Sequence, residues 1–221
     1  MWPLGHDRSV EERLRVRGAA RSRRQVIAAV AAAAVCPAAA RGEPGAVRVA
    51  LKTALGSVEL VIETAKAPIS AKQFLAYVDS KAFDGGLFHR AVHKDRDTAP
   101  VKIDVLQATV DRTRRLGPIP HEPTTLTGLT HLNGTISVAR REVGTGNAGD
   151  FFVCIGDQPS LDYGGARNPD GQGFAAFGRV VRGMDVIERI WNGETVASKN
   201  SPQISDRLIS PVPILSMRRV S

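Results

Sequence analysis

Apolar and polar residues alternate along VRVALKT (47–53), with Val47, Val49 and Leu51 on one side and Arg48, Ala50 and Lys52 on the other. That is the period of a half-buried strand. ALG makes a turn, and SVELVIE (57–63) alternates again through Val58, Leu60 and Ile62, which predicts a hairpin. The period then changes. Ala71, Phe74, Leu75 and Val78 fall at i, i+3, i+4 and i+7, which predicts a helix over about 70–81. Ser70 and Gln73 have the spacing of a capping box, and Gly85–Gly86 is read as the stop. Short strand-like segments follow at 86–92, 102–109, 134–139, 151–155 and 174–181, separated by loops rich in Gly, Pro and Asn. GMDVIERIW (183–191) reads as a second helix, with Met184, Ile187, Ile190 and Trp191 on one side and Gly193 to close it. PVPILSMRRV ends the chain as a strand.

The tally is about eight strands and two helices, with the helices segregated from the strands. This predicts an all-β dominated domain, an antiparallel barrel or sandwich with helical caps, and not a βαβ fold. No internal repeat is evident.

Composition adds little to this until charge is divided along the chain. The 221 residues carry 30 basic and 22 acidic side chains, a formal net charge of +8. Seven Arg and three acids lie in residues 1–40, so half of that net charge belongs to the first 40 residues. The remainder is mildly basic and has no basic stripe with interleaved aromatics, so no nucleic-acid partner is expected.

The amino-terminal segment SRRQVIAAVAAAAVCPAAARG (22–42) places Arg23–Arg24 before a short apolar run, then Pro37 and an A-x-A pattern at 38–40. This is the order of an export signal of twin-arginine type, with cleavage near Ala40. An Ala-rich helix and a lipoprotein signal using Cys36 are the competing readings; Val35 before that cysteine argues against the second. The run is too short for a membrane span. The expected organisation is an export signal (1–40), a linker (41–46) and one domain (47–221), periplasmic or otherwise exported. The cleaved chain keeps Cys154, which in FFVCIG reads as an inert core thiol.

Much common chemistry is missing. The five histidines (6, 89, 93, 121, 131) are scattered, with His89 and His93 assigned to a strand and no metal-ligand spacing among them. GTGNAG (144–149) lacks the following Lys and Ser/Thr of a phosphate loop, and no G-x-S-x-G elbow occurs. No carboxylate pair stands out for acid–base work. An enzyme built on this chain has a cation, amides and an apolar pocket, with no cofactor and no metal expected.

The ordered set FHR, an isolated Gln, GTISVAR, NAGDFF, SLD and FGRVVRGMDVIE resembles the cyclophilins, peptidyl-prolyl cis–trans isomerases, and among them the exported bacterial branch. The resemblance covers about residues 47–219, and FGRVVRGMDVIE (177–188) is its most specific part. It implies an eight-stranded antiparallel barrel capped by two helices. It implies Arg90 as the catalytic arginine, with His89, Gln107, Ala139, Phe152, Leu161 and Phe174 binding substrate. The implied partners are X–Pro segments of unfolded or partly folded exported proteins, and the expected state is a monomer.

The chain departs from the family pattern around the groove. The family places its glutamine about eight residues after the arginine, whereas Gln107 lies 17 after Arg90, an insertion within AVHKDRDTAPVKIDVL. Asp104 and Val105 fall where the family carries a Phe-Met pair, and Asp150 replaces a glutamine. These three are expected to modify the site, the two carboxylates by pairing with Arg90 and blunting it. A catalytically weak or inactive module binding proline-containing peptides or a protein partner is therefore the alternative to an isomerase.

Overall fold

The first hairpin forms as the alternation predicts. In the computed structural model, which describes residues 44–198 and 201–220, β1 (Val47–Thr53) pairs antiparallel with β2 (Gly56–Ile62), Val47 opposite Ile62 and Thr53 opposite Gly56. The export segment 1–40 and the first part of the linker 41–46 lie outside the described residues. Then follow α1 (Pro68–Asp79), β3 (Leu87–Val92), β4 (Val105–Thr109), the single turn α2 (Thr124–Thr127), β5 (Thr135–Val138), β6 (Asp150–Cys154), β7 (Ala175–Arg182), α3 (Met184–Trp191), β8 (Thr195–Ser198) and β9 (Ser201–Arg219).

Strands close into a ring in the order β1-β2-β7-β5-β6-β4-β3-β9, with β9 returning to pair with β1. The result is a closed, eight-stranded antiparallel barrel with no free edge in the ring. Strand β8 stands outside it, paired only to the first part of β9. The sequence reading missed β8 and found only the last half of β9, because ETVASKNSPQISD carries no clean alternation.

The barrel is filled by Phe74, Phe83, Phe88, Phe151 and Phe177, all fully buried, with Phe74 in contact with three of the other rings at 5.1–5.6 Å. Tilted and edge-on contacts at these separations are the favoured aromatic geometries. Helix α1 supplies Phe74 along with Ala71, Leu75 and Val78, the face that the 3.6-residue period predicts.

The start and stop of α1 differ from expectation. Pro68 occupies the first turn, where its missing N–H costs nothing. Ser70 is therefore inside the helix, and no local side chain caps it. Glu122, 53 positions on from Ile69 and almost fully buried, does so: its carboxylate accepts the backbone N–H of Ile69 (3.0 Å), the N–H of Ser70 (2.7 Å) and the Ser70 hydroxyl (2.7 Å). Gln73 turns outward to the loops, donating to Gly117 O and accepting from Ala148 N. The helix ends at Asp79, with Lys81 at φ 56° in the turn, ahead of the glycines. At the end of α3, Asn192 is the cap and Gly193 keeps a negative φ, so the glycine closure read from sequence is not used.

Cys154 is fully buried in β6, and burial pushes its thiol far above the ordinary range, consistent with an inert core role.

Candidate active site

A groove of about 800 Å³ runs over the outside of the barrel wall. Strand register explains which residues face it. In β6, Phe151 and Val153 point into the barrel, while Phe152 and Cys154 belong to a second apolar cluster on the other face. In β4 the same alternation sends Leu106 and Ala108 inward and leaves Val105, Gln107 and Thr109 on the groove. Arg90 is paired with Gln107 and Gln107 with Phe152, so three predicted site residues stand in one row across β3, β4 and β6.

Strand β3 breaks the alternation. Phe88 and Ala91 are core residues, yet both His89 and Arg90 line the groove. The ladder shifts register here: Phe88 faces Ala108 and Arg90 faces Gln107, so His89 is an extra residue. This is a β-bulge, which re-aims side chains where a regular strand cannot.

Ile103, Val105, Phe152, Leu161 and Phe174 of the second apolar cluster, with Ala139 packed against it, form the apolar end of the groove, while Val92 and Cys154 belong to the cluster without lining the groove. Phe152 and Phe174 meet edge-on at 5.3 Å. The Arg140 guanidinium lies over the Phe174 ring, 5.3 Å from its centroid, and pairs with Asp170; this pairing and the Gln172 N–H hold the Asp170 pKa down to about 2. Gly173 precedes Phe174 at φ 61°, and a Cβ there would lie 2.5 Å from the Asp162 backbone, so no other residue fits this approach.

The Arg90 guanidinium is fixed on two sides. Its Nε donates to Asp206 Oδ2 at 2.7 Å and its Nη1 to Gln107 Oε1 at 3.2 Å. Asp206 is nearly buried, while the Arg90 side chain is about one-third exposed. Its remaining N–H groups are left for the groove. His89, beside it, has its pKa lowered by burial, which keeps the imidazole neutral at pH 7.

All seven residues assigned to catalysis or substrate binding line this groove: His89, Arg90, Gln107, Ala139, Phe152, Leu161 and Phe174. Of the expected modifiers, Val105 stands in the apolar wall of the groove as read, whereas the two carboxylates behave differently. Neither carboxylate pairs with Arg90. Asp150 lines the groove but is engaged by Arg115 and by the Thr109 hydroxyl. Asp104 is not among the lining residues. Its carboxylate accepts the Lys94 backbone N–H at 2.7 Å and lies 3.9 Å from Lys94 Nζ. Ile103 and Val105, on either side of it, supply the apolar wall. His93 lies just past β3, not within it, and stacks on Trp191 of α3 at 3.9 Å.

The insertion after β3 is built around Asp97, whose carboxylate accepts the N–H groups of Ala99 and Ile103 and pairs with Arg167 at 2.5 Å. Arg167 belongs to the loop after Leu161, so the inserted segment and that loop are tied to each other. Two residues of consequence escaped sequence reasoning: Asp206, separated from Arg90 by 116 positions, and Ile103, hidden inside the insertion. Among the described residues no group of three His, Cys, Asp or Glu side chains could hold a metal ion, and no helix is long and apolar enough to cross a membrane.

Comparison with known proteins agrees with this geometry. The family model for cyclophilin type peptidyl-prolyl cis-trans isomerase/CLD matches residues 48–219. Peptidyl-prolyl cis-trans isomerase A of Dickeya dadantii is 33% identical over 147 residues, 66% of this chain and 72% of its own. A peptidyl-prolyl cis-trans isomerase of Acinetobacter baylyi is 31% identical over 165 residues, 73% of this chain and 82% of its own. Among solved structures, a cyclophilin type peptidyl-prolyl cis-trans isomerase of Cryptosporidium parvum superposes with a TM-score of 0.60 at 18% identity, covering 80% of this chain and 98% of that one. The barrel, the row of groove residues and a family match spanning nearly all of the described chain give one conclusion: this protein belongs to the cyclophilin-type peptidyl-prolyl cis–trans isomerase family.

Proposed function

We propose that the groove binds X–Pro segments of exported proteins and accelerates their cis–trans isomerisation during folding, with Arg90 as the catalytic residue. The observation that carries this reading is the double anchoring of Arg90 by Asp206 and Gln107 beside an apolar pocket. Amide resonance gives the prolyl bond a barrier of roughly 18–20 kcal/mol. Twisting the bond localises the lone pair on the prolyl nitrogen. A guanidinium N–H donated to that nitrogen stabilises the twisted state more than either planar one. Phe152, Leu161, Phe174, Ile103 and Val105 hold the proline ring, and Gln107 both braces Arg90 and offers its amide to the peptide backbone. No nucleophile, metal or cofactor is required. Reducing tens of seconds to milliseconds takes about 10⁴-fold, roughly 5–6 kcal/mol, within reach of one fixed cation and a binding pocket.

For the alternative, a weak or inactive binding module, the discriminator is whether the 91–106 insertion swings Asp104 into the groove. The Lys94 contacts of that carboxylate support the isomerase reading instead. In a refolding assay limited by proline isomerisation, micromolar protein is expected to accelerate the slow phase at least tenfold; an unchanged slow phase rejects the proposal. Export rests on the segment 22–42. Fused to a reporter, residues 1–45 are expected to carry it out of the cytoplasm, and replacing Arg23–Arg24 by Lys–Lys is expected to block this. A reporter retained inside the cell rules out the export reading.

A further inference from the structure

Among the described residues six arginines line the groove, 90, 112, 115, 140, 141 and 167, and the only carboxylate lining it is Asp150. Four of the six are paired, Arg90 with Asp206, Arg115 with Asp150, Arg140 with Asp170 and Arg167 with Asp97. Arg112 and Arg141 are exposed, and among the described residues neither guanidinium has a hydrogen-bond or ion-pair partner. Among the described lining residues these two are therefore the arginines whose charge is not paired.

Their position is set by the strands. Along β4 the groove passes from Val105 in the apolar cluster through Gln107 to Thr109, and Arg112 follows in a short 3-10 turn. Thr109 stands opposite Asp150, whose carbonyl accepts the N–H of Ala139 two residues before Arg141. Arg112 and Arg141 thus lie beyond the same level of the groove, at the end away from Val105. Four residues of strand cover about 13 Å, so a peptide with its proline in the apolar end reaches this cationic end two to four residues along.

We infer that the groove selects proline-containing segments bearing an acidic side chain two to four residues from the proline, and that Arg112 and Arg141 are the specificity-determining residues. This rests on the groove being the peptide site proposed above. The chemistry is a charge pair at an exposed site, worth little for one contact but additive over two cations acting on one carboxylate, and screened by salt.

The test uses Ala-rich peptides with a single Ala-Pro bond and either Glu or Lys placed two, three or four residues to each side of it. Both exchange rate by NMR and equilibrium binding are read. On one side of the proline, Glu is expected to exceed Lys by about tenfold in kcat/KM and in affinity near 20 mM salt, falling to about twofold at 1 M salt. In the Arg112→Ala, Arg141→Ala variant the ratio is expected to collapse to about one, with an unchanged melting temperature, since neither guanidinium holds another residue. Equal handling of Glu and Lys peptides, or a preference that survives in the variant, overturns the inference. Absence of turnover with charge-selective binding retained would instead reject the isomerase reading and leave the selectivity standing.

Discussion

Replacing Arg90 by alanine is expected to lower kcat/KM on an X–Pro peptide by about 10²- to 10³-fold, equivalent to roughly 3–4 kcal/mol of lost transition-state stabilisation. The guanidinium is braced at Nε by Asp206 and at Nη1 by Gln107, so its outward N–H groups meet the twisted amide without first being ordered. Lysine is expected to recover little, because an ammonium has no planar fork to satisfy both braces and still donate to the substrate. Asp206→Asn keeps an acceptor at the position but drops the charge, and about a three- to tenfold fall in kcat with unchanged KM is expected, the signature of a positioning residue. Arg90→Ala also strips Asp206, nearly buried, of its ion-pair partner, which destabilises by itself. The Arg90→Ala, Asp206→Asn double variant separates the two effects. If that variant is well folded and as active as the parent, Arg90 is not the catalytic group.

The second large effect concerns stability. Glu122→Ala is expected to cost about 3 kcal/mol, which for a domain of this size is roughly 10 °C in the melting temperature. The carboxylate satisfies two orphan N–H donors at the start of α1 and one hydroxyl, and it sits at the positive end of the helix dipole. Removing it leaves buried donors unpaired beneath the helix that delivers Phe74 to the core. Glu122→Gln keeps one acceptor but turns an amide NH₂ toward N–H donors, so about half the loss is expected. A Glu122→Ala protein that melts with the parent in a denaturation curve would show that the helix start is held in another way.

These two residues also mark the boundary of what the sequence could reveal. The strands of the barrel were legible because alternation is a local consequence of a wall with one dry face. Both long helices were legible through their 3.6-residue spacing. The groove residues became legible through the order of short motifs, and all seven that were assigned to catalysis or binding line it. Glu122 and Asp206 were not, since each acts on a partner more than 50 positions away and neither belongs to a motif. The capping box at Ser70 failed for the same reason: a distant carboxylate took the place of a local one. Asp104 was misjudged because a one-residue difference in facing reverses which side chain a loop presents. Ile103 and Val105 reach the groove, and the acid between them does not.

The bulge at His89 has an implication for anyone redesigning this groove. A regular strand commits every second side chain to the interior, so neighbouring functional groups on its outer face stand two residues apart. The extra residue in β3 sets His89 and Arg90 in succession on the working face without shifting Phe88 or Ala91 out of the barrel. Functional density is thus raised by chain length and not by residue choice. No point substitution reproduces or undoes that. Straightening β3 requires deleting a residue, and deleting His89 keeps Arg90 facing outward while restoring the ladder. The spacing of the site is therefore open to change by single-residue deletion, a class of edit that scanning by substitution never samples.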